Sequence, residues 1–119
     1  MGLTDLQINS RNELFEQLEL MSSKTEQLDY QAKVPIAYVS SELFWGWNSA
    51  FQDPRKQSWF EGIYTSEELK VLSALDAKVE EIRSSLSNEI PYIIEFLETP
   101  QWMNLTKAAV NALVKLKRL

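Results

Sequence analysis

The chain has 119 residues, 45% of them apolar and 24% charged, which suits one buried core and argues against disorder. Its net charge is −5, and it contains neither histidine nor cysteine. Those absences exclude Ser-His-Asp and Cys-His catalysis, zinc sites built on imidazole or thiolate, and any disulfide framework.

The chain start lacks a basic stretch followed by an apolar one, so no secretion signal is expected. Met1-Gly2-Leu3-Thr4-Asp5-Leu6 opens like a myristoylation signal but carries leucine where serine or threonine belongs. The first helix is expected from a Ser10-x-x-Glu13 capping box. Leu14, Leu18, Met21, Thr25, Leu28 and Ala32 then recur as one long stripe. Val34-Pro35 ends it, because the residue before proline avoids helical ψ. Opposite this stripe lie Glu16, Glu19, Ser23, Glu26 and Tyr30, an acidic face that is either simply solvated or meets a basic partner.

A second helix begins near Ser40-Ser41 and closes at Asp53-Pro54, with Phe44, Trp47 and Phe51 on its inner face. Trp45 falls about 200° from Leu43, beside Asn48 and Gln52. It is either an exposed anchor or lies under the following loop. That loop, 52–64, carries Trp59, Phe60, Ile63 and Tyr64, too much apolar area for a solvated segment. It is expected to fold back onto the helices, with Trp59 and Phe60 either plugging the bundle or presenting a contact surface. Eight of the thirteen aromatics fall between Tyr38 and Tyr64.

Thr65-Ser66-Glu67-Glu68 is a further capping box, followed by the stripe Leu69, Leu72, Leu75, Val79, Ile82 and Leu86. Residues Asn88 to Pro91 break that helix, and a short one follows, anchored by Ile93, Phe96 and Leu97. Thr99-Pro100 places an N-cap before a proline at the first helical position. The last helix carries Trp102, Leu105, Ala109, Ala112, Leu113 and Leu116. Lys115, Lys117 and Arg118 in its final turn complement the helix dipole and are a weak signal for nucleic acid. The expected architecture is all-α: a single domain over 1–119, a bundle of about five helices with an aromatic-rich connecting loop.

Carboxylates are the remaining catalytic possibility. Glu67-Glu68 and Glu80-Glu81 are adjacent, and adjacent side chains diverge by about 100° on a helix, so neither pair chelates well alone. No phosphate-binding glycine loop or calcium loop occurs. No catalytic residue, metal or cofactor is therefore expected, and no apolar run is long enough to cross a membrane.

From Pro35 onward, several elements form a recognisable pattern: Glu42-Leu43 and Trp47, Trp59-Phe60, Thr65-Ser66-Glu67-Glu68-Leu69, Ile90-Pro91, Thr99-Pro100-Gln101-Trp102, and Ala108-Ala109 with Ala112-Leu113. In this pattern, over about 85 residues, the chain resembles small helical bacterial immunity proteins of contact-dependent growth inhibition and related polymorphic-toxin systems. The resemblance implies a cytoplasmic, non-enzymatic protein that neutralises one cognate toxin by binding it, often a basic nuclease. It supplies no binding residues. From the residues themselves, Trp45, Asp53, Trp59 and Glu61 are the expected contacts, with Glu16, Glu19 and Tyr30 as a competing surface. The alternative is a structural or regulatory subunit that self-associates through its aromatic segment. Oligomeric state is open.

Overall fold

The computed structural model describes residues 2–119; Met1, where the myristoylation-like segment starts, lies outside the described residues. It contains six α-helices and, among those residues, no strand. The expected all-α bundle is the observed one.

Helix α1 spans Asp5–Ser22 and starts earlier than the sequence pattern suggests. Its capping box is Thr4 with Gln7, not Ser10 with Glu13. The Thr4 hydroxyl accepts from the Gln7 amide at 3.2 Å, and Gln7 Oε1 accepts from the Thr4 amide at 2.9 Å. Glutamine fills the third position as well as glutamate does, because only a side-chain acceptor is needed. Ser10 is buried inside the helix.

The single long helix expected up to Val34 is two helices. At Ser23 the backbone turns extended (φ −130°, ψ 110°), and the serine hydroxyl accepts from the Glu26 amide to start α2, Lys24–Lys33. Serine offers the backbone a competing hydrogen bond, which favours a cap over a helix interior. The break resets the helical register. Thr25 and Ala32, expected in the core stripe, are exposed, and Leu28 is half-buried. Gln27 takes the fully buried position instead. Tyr30 consequently sits on a different helix from Glu16 and Glu19, so the continuous acidic face expected there does not form.

Helix α3, Val39–Trp47, runs on into a π turn at Asn48–Gln52 closed by the Asp53 amide on the Asn48 carbonyl at 2.8 Å. Trp47 and Phe51 stack there with ring centroids 5.1 Å apart. Phe44, Trp47 and Phe51 are buried, as the periodicity requires. Pro54 then opens two short 3₁₀ turns, Pro54–Lys56 and Ser58–Phe60. Gly62 turns the chain at φ +91°, a conformation that side chains with a Cβ rarely adopt. Ile63 and Tyr64 are thereby buried, so the segment folds back as expected. Gln7 fixes this loop by donating to the Trp59 and Glu61 carbonyls at 2.8 and 3.2 Å.

Helix α4, Ser66–Ser85, starts from the expected Thr65–Glu68 box and buries Leu72, Leu75, Val79 and Ile82. Helix α5, Ile93–Phe96, is short, and α6, Pro100–Lys117, starts at the expected Thr99 cap. Helix α6 packs most extensively against α4 and α1, and α3 packs on α1. Leu14, Leu18, Leu43, Leu72, Phe96 and Leu105, drawn from five helices, meet in the core.

The seam between α3 and α4 is held by polar groups at one end. The Trp47 indole donates to Asp76 Oδ1 at 2.8 Å. Gln52 Nε2 donates to Asp76 at 2.8 Å and to Glu80 at 2.7 Å. Arg55 reaches the other Asp76 oxygen at 3.6 Å. Toward the start of α3 and the end of α4 the seam opens into a cleft.

Candidate partner-binding site

The cleft between α3 and α4 has a volume of about 890 Å³. One wall carries Tyr38, Ser41, Trp45 and Asn48, and the other carries Glu80 and Arg83. The linker from Ser87 to Tyr92, with Glu95, closes its end. Trp45 and Tyr92 both border it, and these residues are 67% and 65% exposed. The 52–64 loop therefore leaves Trp45 uncovered, and the alternative of a loop-covered Trp45 is discarded. An indole left this open in a folded protein has an apolar face available to a partner.

The linker is held in place by the first turn of α3. Tyr38 donates its hydroxyl to the Ile90 carbonyl, and Ser40 donates to the Pro91 carbonyl. These bonds dispose of two carbonyls in a segment without helical pairing. They also fix the Tyr38 ring, on which Tyr92 lies at 4.7 Å and 31°. Tyr92 is thus presented by a rigid support. Burial first, and then Tyr92 and the charges of Glu89 and Glu95, hold the Tyr38 phenol above its ordinary pKa.

The charges lining the cleft are Glu80, Glu89 and Glu95 against Arg83. Glu80 is tied to Gln52, and Arg83 donates to the Ser87 carbonyl at 3.3 Å. Neither the Glu89 nor the Glu95 carboxylate has a hydrogen-bond or ion partner among the described residues. The cleft is therefore acidic and aromatic, a match for cationic or mixed cationic and apolar groups.

The other residues singled out from sequence do not join Trp45. Asp53 and Trp59 line a second, smaller cleft of about 310 Å³ with Leu6 and Glu13. Glu61 is exposed beside Phe60 and Tyr64 on a third face. Glu16 and Glu19 are exposed on α1. Tyr30 is half-buried and donates to Glu42 Oε1 at 3.1 Å; that bond, then burial, raises its pKa. Its hydroxyl is committed within the protein.

Tyr92, Glu89 and Glu95 escaped sequence reasoning, which treated Asn88 to Pro91 only as a helix break. The available signal was an aromatic directly after Ile90-Pro91, flanked by two acids, in a linker too short to be far from either helix.

All four glutamates of the adjacent pairs have side-chain partners: Glu67 pairs with Lys70, Glu68 with Arg11, Glu80 with Gln52 and Glu81 with Lys78. Arg11 grips Glu68 through both nitrogens, at 3.1 and 2.7 Å, and lies over the rings of Phe15 and Tyr64 at 5.1 and 5.4 Å. That bidentate bond is the main cause of a lowered Glu68 pKa. Burial pushes the neighbouring Tyr64 phenol up to about 12. Among the described residues no group of three or more acids is placed to hold a metal ion. No described helix is long and apolar enough to cross a membrane. No protein-family model, curated protein or solved structure matches the chain.

Proposed function

We propose that the chain is a non-enzymatic protein-binding module: a cytoplasmic immunity protein that neutralises a cognate toxin domain of basic charge by covering its active site. The observation that carries this reading is the Trp45 indole, two-thirds exposed at the mouth of an acidic cleft. Exposed tryptophan in a concave, partly apolar site is a common anchor of protein interfaces. The net charge of −5 would speed encounter with a basic partner, and aromatic burial would slow dissociation. Occlusion needs no histidine, thiol or metal, in keeping with the composition.

The test is co-expression with the C-terminal domain of a secreted protein encoded beside this chain. Restored growth and a stable complex, both lost on Trp45→Ala, support the reading. Titration without binding at micromolar concentration overturns it.

A second reading, self-association, is favoured by Met103, Val110 and Val114. These are exposed residues spaced by seven and four on α6 and so share one face. Light scattering of the purified chain at twice its 13.8 kDa would favour that reading.

A further inference from the structure

We infer that the α3–α4 cleft holds a subsite for an arginine or lysine side chain of the protein partner, built from the faces of Tyr92 and Trp45 and the carboxylates of Glu89 and Glu95. This inference rests on the reading above that the cleft meets a protein.

Three features of the cleft converge on a cation. First, the aromatic platform is set before binding. Tyr38 is pinned by the Ile90 carbonyl, and the Tyr92 ring lies tilted against it while the residue stays 65% exposed. A cation over such a face is attracted by the ring quadrupole, and a ring already in position loses little entropy on binding. Second, Glu89 and Glu95 are free carboxylates beside this platform, and Glu80 adds a third against the single guanidinium of Arg83. A carboxylate-bearing ligand would meet that excess of like charge, whereas a guanidinium would exchange water for charge-assisted hydrogen bonds. Third, α4 ends at Ser85, beside Arg83 and Ser87 of the cleft wall. The Ser85 hydroxyl and the Leu86 amide pair the Ile82 and Arg83 carbonyls, and the remaining carbonyls of this C-terminus carry partial negative charge that favours a cation.

The smaller cleft with Glu13, Asp53 and Trp59 also combines acids with an aromatic ring. It differs in one respect. Trp59 is half-buried, and no second ring stacks against it, so it offers no prebuilt platform.

Hexa-arginine peptide titrated into the ¹⁵N-labelled chain tests the assignment. The Trp45 indole signal and the amides of Glu89, Tyr92 and Glu95 should shift. The Trp47 and Trp102 indoles, which donate to Asp76 and Gln27, should not. Replacing Glu89→Gln and Glu95→Gln together should weaken the peptide roughly tenfold. Glu16→Gln with Glu19→Gln removes the same charge from α1 and should leave affinity within about twofold. Equal losses from both double variants would reduce the effect to bulk charge and overturn the subsite. Shifts centred on Trp59 and Asp53 would overturn it as well. If Glu89→Gln/Glu95→Gln leaves peptide affinity unchanged while Trp45→Ala still abolishes toxin binding, the subsite falls and the functional reading stands. Failure of toxin binding with intact peptide binding would separate them in the other direction.

Discussion

Gln27 of α2 and Trp102 in the first turn of α6, 75 residues apart, are joined directly: the indole donates to Gln27 Oε1 at 2.8 Å. The same amide donates through Nε2 to the Leu20 and Met21 carbonyls at 2.9 and 3.2 Å. One fully buried side chain thus closes the end of α1 and links the α1–α2 corner to α6. Gln27→Leu keeps the volume but removes three hydrogen bonds, leaving the Met21 carbonyl and the indole N–H without that partner while the Leu20 carbonyl keeps the Ser23 amide. Each such loss costs on the order of 1 kcal/mol, so we expect destabilisation of about 2–3 kcal/mol in urea denaturation. Adding Trp102→Phe to Gln27→Leu should cost less than the sum of the single changes, because the orphaned donor is removed with its acceptor.

The Arg11–Glu68 pair sets an acid limit. Glu68 has a lowered pKa in the folded state, first through its bond from Arg11. A depressed carboxylate pKa contributes stability that is present above the unfolded value, near 4.5, and is lost as pH falls through the folded one. Stability should therefore decline below about pH 4.5. Glu68→Gln should cost about 1–2 kcal/mol at pH 7 and flatten that decline, as read by denaturant midpoints at several pH values.

Local signals were legible in the sequence, and long-range ones were not. The Thr65–Glu68 box and the Thr99-Pro100 start need only a few neighbouring residues, so periodicity and capping rules find them. The break at Ser23 is made locally by its cap on the Glu26 amide, but the burial of Gln27 beyond it is completed by Trp102, a partner invisible from either position. Without that contact, the stripe from Leu14 to Ala32 is a sound helix pattern. Helical spacing puts Trp45 away from the inner face of α3, but its exposure depends on the loop passing elsewhere. Tyr92 reaches the cleft only because Tyr38 and Ser40 hold its linker, and no spacing rule encodes that.

Gly46 illustrates a position where two rules oppose each other. Alanine normally favours a helix over glycine by about 1 kcal/mol. Here a Cβ would lie 2.1 Å from Gln17 Oε1, and the Gln17 amide donates to the Leu43 carbonyl at 3.1 Å. To admit the methyl, Gln17 must swing away and lose its bond between α1 and α3. Gly46→Ala should therefore lower stability by about 1 kcal/mol, the steric and hydrogen-bond loss exceeding the propensity gain. In a Gln17→Ala background the same change should stabilise by about 0.5–1 kcal/mol. Thermal unfolding of the four proteins in this cycle reads the sign reversal.

Trp45 and Trp47 are two residues apart, and the same substitution should separate their roles. Trp47 is fully buried, stacked on Phe51, and its N–H is held by Asp76. Trp47→Phe removes that donor and leaves unfilled space in the core, so a loss of about 2–3 kcal/mol is expected. The Trp45 indole N–H has no hydrogen-bond partner among the described residues, and the residue is largely exposed. Trp45→Phe should change stability by no more than about 0.5 kcal/mol. Retained exposure without a folding benefit is what an interface residue requires, since its apolar area is used only when a second surface covers it. A large stability loss from Trp45→Phe would make the residue a structural one and remove the main support for binding at this cleft.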